Sequence, residues 1–216
     1  SQRLQLIMYD AQQMMVVAGI KLSRWGNCRM VYEDIYKIFP EIHEIKDKVL
    51  QQKSADALIS AMEIGGWDGE SVYLAPVTMN WQGCTCSLVE HIRLVTRMCM
   101  DDYKHLKKFY QANGVEFEWD IIVCGALLHD LGKFTGFVRR NGVIMHGEDA
   151  NLLRHPLSGA ILAAKAGLPD KIIHLIATHS FEGERSYQTA ESAFVRAIDD
   201  FVFKCTVYGL KQGPVG

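Results

Sequence analysis

Long apolar runs are missing from this chain of 216 residues, and no stretch approaches the roughly 20 residues needed to cross a bilayer. The N-terminus lacks the basic, apolar and small-residue succession of a secretory leader. A cytoplasmic location with no membrane partner is therefore expected. Excess charge is missing too, since 23 Lys and Arg stand against 25 Asp and Glu. That balance disfavours broad electrostatic capture of nucleic acid and leaves small ligands as the expected partners. Cysteine occurs six times but never as C-x-x-C; only Cys84 and Cys86 lie close together. Zinc-ribbon and thiol-redox spacings are thus absent, and reduced thiols used for packing are expected. Internal repeats, low-complexity tracts and β-hairpin signals are not evident.

What is present is enough apolar material, 49% of residues, for one substantial core. Residues 3 to about 65 read as short helices, with Leu4, Ile7, Met8 and Ala11, then Val31, Ile35 and Ile38, at helical spacing. Residues 65–86 are rich in Gly, Pro and aromatics and read as a long irregular connection, with Trp67, Tyr73 and Trp81 as anchors onto the core. Ser87 with Glu90 makes a capping box that opens a helix running to Gly114 and turns His91 toward the core. The run from Ile121 to Leu128 is apolar on all sides, which suits a buried helix closed at Gly132. Pro156 places His155 at the start of another helix, Pro169 opens a short one ending near His179, and a last amphipathic helix carries Phe194, Ala197, Ile198, Phe201, Val202 and Cys205 on one face. The expected architecture is all-α, with residues 1–82 a helical region and connection and residues 83–208 the main domain.

A His-Asp pair, His129-Asp130, leaves the end of the wholly apolar helix. Two polar groups in such a place must find partners or cost several kcal/mol, on the order of a lost buried hydrogen bond each. A metal ion would satisfy both. Imidazole nitrogen with carboxylate oxygen suits Fe, Mn, Zn or Co, and the lack of thiolates argues against a structural zinc finger.

The ordered pieces are Ser87-Leu88-Val89-Glu90-His91, Leu128-His129-Asp130-Leu131-Gly132-Lys133, Arg154-His155-Pro156-Leu157-Ser158-Gly159-Ala160, Ile176-Ala177-Thr178-His179 and Ala197-Ile198-Asp199-Asp200-Phe201. Their order resembles the HD superfamily of metal-dependent phosphohydrolases over roughly residues 83 to 205. The resemblance implies an HD-type helical bundle and two divalent metals per chain, with Mg an allowed choice beside the transition metals. His91, His129, Asp130 and a late Asp would hold one, and His155 and His179 a second that Asp130 bridges. A hydroxide shared by the two ions would be the nucleophile, Asp130 and Lys133 would be catalytic, and Lys133 would steady a phosphate oxygen. The late Asp is assigned to Asp199, because Asp200 has Arg196 and Lys204 four residues to either side, a solvated ion-pair pattern.

Arg139 and Arg140 are further candidates for contact with substrate phosphate, or else a solvated turn before Asn141-Gly142. His43, His105, His146 and His174 match no motif and are read as surface or satisfied residues. In the cyclic-dinucleotide phosphodiesterase branch a His-His pair and a Gly-Tyr-Pro signature follow the fourth ligand position. Here His179-Ser180 stands in that place, which argues against cyclic di-GMP. The expected substrate is a small phosphorylated compound or nucleotide. The same ligand set and His-Asp-Leu-Gly-Lys run occur in inositol oxygenase and related diiron oxygenases, so an iron oxygenase and a metal-holding regulatory module are the alternatives.

Overall fold

The computed structural model describes residues 30–81 and 83–210, and the expected helix around Leu4 to Ala11 lies outside them. Helix α1, Tyr32–Ile38, stops where Pro40 begins a short 3-10 turn, Pro40–Glu44. Ile35, Ile38, Phe39, Ile42 and Ile45 are all buried there. Helix α2, Lys48–Gly65, is capped at its start by the Asp47 carboxylate, which accepts from the backbone N–H groups of Val49 and Leu50. Gly66, at φ 77°, ends it in the left-handed conformation open to glycine.

The 65–86 connection is more ordered than its composition suggests. Trp67 is 2% exposed, and its indole N–H donates to the carbonyls of Phe134 and Phe137. A 3-10 turn, Ser71–Leu74, follows, and Val72, Ala75 and Val77 are buried. The expected capping box of Ser87 and Glu90 opens helix α3, Leu88–Ala112. One face of its first half is buried, from Leu88 to Cys99, while its second half runs out into solvent, with Phe109 well exposed.

Helix α4, Trp119–Leu128, is buried at every position from Ile121 onward, as an all-apolar helix must be. It gives way to turns at His129, and a single helical turn, α5, covers Lys133–Gly136. Next comes a β-hairpin, β1 Phe137–Arg140 paired with β2 Val143–His146, which corrects the expectation of no hairpin. The signal was Asn141-Gly142, whose φ values of 51° and 80° give the two-residue turn that suits right-handed strand twist. Strands of four residues are too short to reveal a two-residue alternation.

Helices α6, His155–Lys165, and α7, Asp170–Thr178, form a tight antiparallel pair turning at Gly167. Helix α8, Ala190–Tyr208, closes the bundle. Its buried face is Glu191, Ser192, Val195, Val202 and Val207, whereas Phe201 and Cys205 are exposed, so the expected face is rotated. One continuous apolar core runs from Met30 through α2, α3 and α4 to Val202. Among the described residues no helix is long and apolar enough to cross a membrane.

Candidate metal centre

Asp130 stands at the centre of the bundle with its side chain fully buried. Neither carboxylate oxygen has a hydrogen-bond partner of good geometry. Four imidazoles converge on it through their Nε2 atoms. His91 and His129 each lie 3.4 Å from Oδ2, and His155 and His179 each lie 3.5 Å from Oδ1. Asp199 joins the first pair, its Oδ1 being 3.0 Å from His91 Nε2 and 3.5 Å from His129 Nε2. The two imidazole nitrogens of His91 and His129 are themselves 3.3 Å apart.

The six side chains arrive from five helices: His91 from the first turn of α3, His129 and Asp130 from the end of α4, His155 from the first residue of α6, His179 from the end of α7 and Asp199 from mid-α8. The sequence folds so that two helices, α4 and α7, terminate at the site. In both, the terminal histidine Nδ1 sits 2.7 Å from a carbonyl three residues back, Ala126 for His129 and Ile176 for His179. A carbonyl can only accept, so Nδ1 carries the proton and Nε2 faces the cluster. That carbonyl contact fixes the tautomer and the ring so that Nε2 is free to bind a metal.

The spacing fits a cation better than direct hydrogen bonding. Donors about 2.1 Å from a shared ion stand roughly 3 to 3.4 Å from one another. The donors fall into two groups, His91, His129, Asp130 and Asp199, and Asp130, His155 and His179, within each of which the ligand atoms lie inside 4.8 Å. Asp130 belongs to both, one oxygen to each. An ionised carboxylate buried without hydrogen bonds is costly, by several kcal/mol, and a bound cation offsets that cost.

The electrostatics agree. Burial alone lowers the His129 imidazole, but the carboxylates of Asp130 and Asp199 outweigh it and raise it to about 10. Burial opposes ionisation of Asp130, yet the Lys133 ammonium and His129 hold it well below the ordinary carboxylate range. His155 is held well below its usual value, first by burial and then by Lys133, so it stays neutral and able to ligate. The cluster is a field that draws positive charge. Lys133 answers it in part, its Nζ 2.8 Å from Asp130 Oδ2 and 5.6 Å from the centre of the Phe203 ring.

A cleft of about 720 Å³ opens onto Asp130, Lys133, His155, His179 and Asp199. Thus all six expected ligands and Lys133 are brought together. Arg139 and Arg140 are not among the residues lining that cleft. The strand turns Arg139 toward Asp68, 3.7 Å away, and Arg140 donates to the carbonyls of Ile64 and Arg139, tying the hairpin to the end of α2. Asp200 pairs with Lys204 at 2.6 Å, whereas Arg196 turns to Glu184 at 3.7 Å instead. Sequence reasoning missed Arg154, Arg196 and Phe203 and set His146 aside, yet each lines the cleft. Arg154 was findable as the residue before His155, and Arg196 and Phe203 as positions three before and four after Asp199 on the same helix face.

The HD domain family matches residues 88–203, more than half of the chain, and that span carries all six converging side chains. The chain belongs to the HD domain family. One HD-type relative is the dihydroneopterin 2',3'-cyclic phosphate phosphodiesterase of Methanocaldococcus jannaschii, 34% identical over 141 residues. The aligned stretch covers 63% of this chain and 55% of that protein. No solved structure gives a significant match.

Proposed function

We propose that this HD domain is a metal-dependent phosphohydrolase acting on a small phosphoester, with a nucleotide-like cyclic phosphodiester as the leading substrate class. The observation that carries this reading is the division of one buried carboxylate, Asp130, between two sets of imidazoles. A donor set of imidazole nitrogen and carboxylate oxygen suits Mn, Fe, Zn or Co, with Mg an alternative. His91, His129, Asp130 and Asp199 would hold one ion, and Asp130, His155 and His179 a second. Bound there, divalent metal supplies Lewis acidity and neutralises charge on a phosphoryl group.

The chain's own groups do the rest. Lys133 faces the cleft from the turn after the His-Asp pair, 12% exposed, and its ammonium can take a non-bridging phosphate oxygen while it remains beside Asp130. Arg154 and Arg196 also line the cleft, each paired with a glutamate, Glu182 and Glu184, with which a phosphorylated ligand would compete for the guanidinium group. The carbonyls of Ala126 and Ile176 fix two ligand imidazoles, so little reorganisation is needed on loading. The relative's named substrate, a cyclic phosphate, supports the phosphodiester class.

The test is hydrolysis of nucleoside 2',3'-cyclic phosphates and a panel of phosphomonoesters by protein loaded with Mn²⁺. Turnover is expected, and His129→Ala and Asp130→Ala should each abolish it. Undiminished turnover in both variants would overturn the proposal, and O₂ uptake by a mixed-valent iron pair would replace it with an oxygenase.

A further inference from the structure

The family segment accounts for the metal ligands but not for one wall of the cleft. Val77, Thr78, Asn80 and Trp81 line it from the connection that precedes α3, outside residues 88–203. Trp81 differs from the other tryptophans described. Trp67 and Trp119 are each tethered by an indole N–H donated to backbone carbonyls, Phe134 and Phe137 for one and Glu44 for the other. No such tether holds Trp81 among the described residues. It is half-buried, and its ring is braced edge-on by Tyr208, centroids 5.9 Å apart at 85°. Tyr208 is 71% exposed and also falls outside the family segment. A large aromatic held by another aromatic at a cleft, with no core to fill, presents a flat apolar face to whatever enters.

Helix α8 sets the scale. Asp199 marks the metal end, Phe203 lies one turn on beside Lys133, and Tyr208 ends the helix. Nine residues at 1.5 Å each separate Asp199 from Tyr208, roughly 13 Å along the axis. A cleft of about 720 Å³ is far more than a phosphate fills and lies in the range that encloses ligands of a few hundred daltons. Thr78 and Asn80 add polar groups beside the indole.

We infer that Trp81, braced by Tyr208, is a specificity-determining residue that stacks a planar heteroaromatic ring carried by the phosphoester, on the order of 10 Å from the Asp199 end of the cleft. This rests on the hydrolase reading of the same cleft. Stacking of a base on an aromatic side chain changes affinity by about five- to hundred-fold. Lys133 and the metal ligands act on the phosphate, and Trp81 decides which phosphate is held.

The test is calorimetric binding to the full chain loaded with Mn²⁺, using guanosine 5'-monophosphate and ribose 5-phosphate as probes with and without a ring. The wild type should prefer the nucleotide about ten-fold or more. Trp81→Leu should remove that preference without changing affinity for ribose 5-phosphate, and Trp81→Phe should restore most of it at an unchanged melting temperature. Equal affinity of the wild type for both probes, no binding of either, or an equal loss for both probes in Trp81→Leu would each overturn the inference. Ring-dependent binding without hydrolysis of any phosphoester would leave it standing and remove the hydrolase reading instead. Hydrolysis without ring preference would do the reverse.

Discussion

The Lys133 ammonium lies 2.8 Å from Oδ2 of Asp130, one turn away in sequence, and joins a partly shielded cation to a wholly buried carboxylate. Removing one member of a buried pair leaves the other uncompensated, at a cost of about 3 to 5 kcal/mol. A metal on the same carboxylate supplies the missing charge. Lys133→Met should therefore destabilise chelator-treated protein by about 3 kcal/mol, and protein saturated with Mn²⁺ by less than about 1. Urea denaturation under the two conditions measures this, and equal losses in both would show that Lys133 does not compensate Asp130.

Because Asp130 divides its oxygens, the two halves of the centre should come apart by mutation. His155→Ala or His179→Ala removes a donor from one group only, leaving His91, His129, Asp130 and Asp199 together. Elemental analysis should give about two ions per wild-type chain and about one in either variant. Asp130→Ala should leave neither half competent. Retention of the wild-type content in His155→Ala and His179→Ala would mean that the second group does not bind metal.

The converging cluster was legible because its pieces are contiguous and ordered: a His-Asp doublet after an apolar helix and a histidine before a proline each mark a helix end. Asp199 was separable from Asp200 because Lys204 neutralises the latter on the solvent side, although the other presumed partner, Arg196, turns to Glu184. Arg139 and Arg140 do not line the cleft, for a physical reason. Nearness in sequence to His129-Asp130 says nothing once a hairpin carries the chain away, and the strand spends both guanidinium groups on α2 and Asp68. Trp67 and Trp81 could not be told apart, since both lie in the same Gly-rich connection and only tertiary packing buries one and leaves the other facing the cleft.

The cysteines give a prediction that separates packing from exposure. Burial raises the Cys124 thiol to about 12 and pushes Cys99 up strongly, while Cys86, half-buried, is raised to about 11. The thiolate is the reactive species. In native protein at pH 8, Cys205, which is exposed, should react with an aromatic disulfide reagent well before these three. Cys99 and Cys124 should react only on unfolding. Prompt labelling of Cys124 in the native state, read by mass spectrometry of peptides, would contradict the buried placement of α4. Among the described cysteines the expected packing role thus holds in full for Cys99 and Cys124 and not for the exposed Cys205, and Cys28 lies outside the described residues.

Gly132 controls how closely α6 approaches the His-Asp turn. A Cβ there would come within 2.1 Å of the His155 carbonyl, 2.4 Å of Ser158 Oγ and 2.7 Å of the Gly159 amide nitrogen. Most of these atoms are backbone, which cannot swing aside, so the first turn of α6 has to move. His155 is the first residue of that turn and faces Oδ1 of Asp130 at 3.5 Å. Gly132→Ala should therefore cost about 1 to 3 kcal/mol through overpacking and displace His155 from its half of the centre. Metal content should fall by about one ion per chain, with the ligands from α3, α4 and α8 unaffected. Gly136→Ala is the matched control, because a Cβ at that position meets no atom within 4 Å. It should alter stability by less than about 0.5 kcal/mol. Melting temperature and metal content measured on both variants decide the matter: equal behaviour of the two would mean that contact between the His-Asp turn and α6 does not set the position of His155.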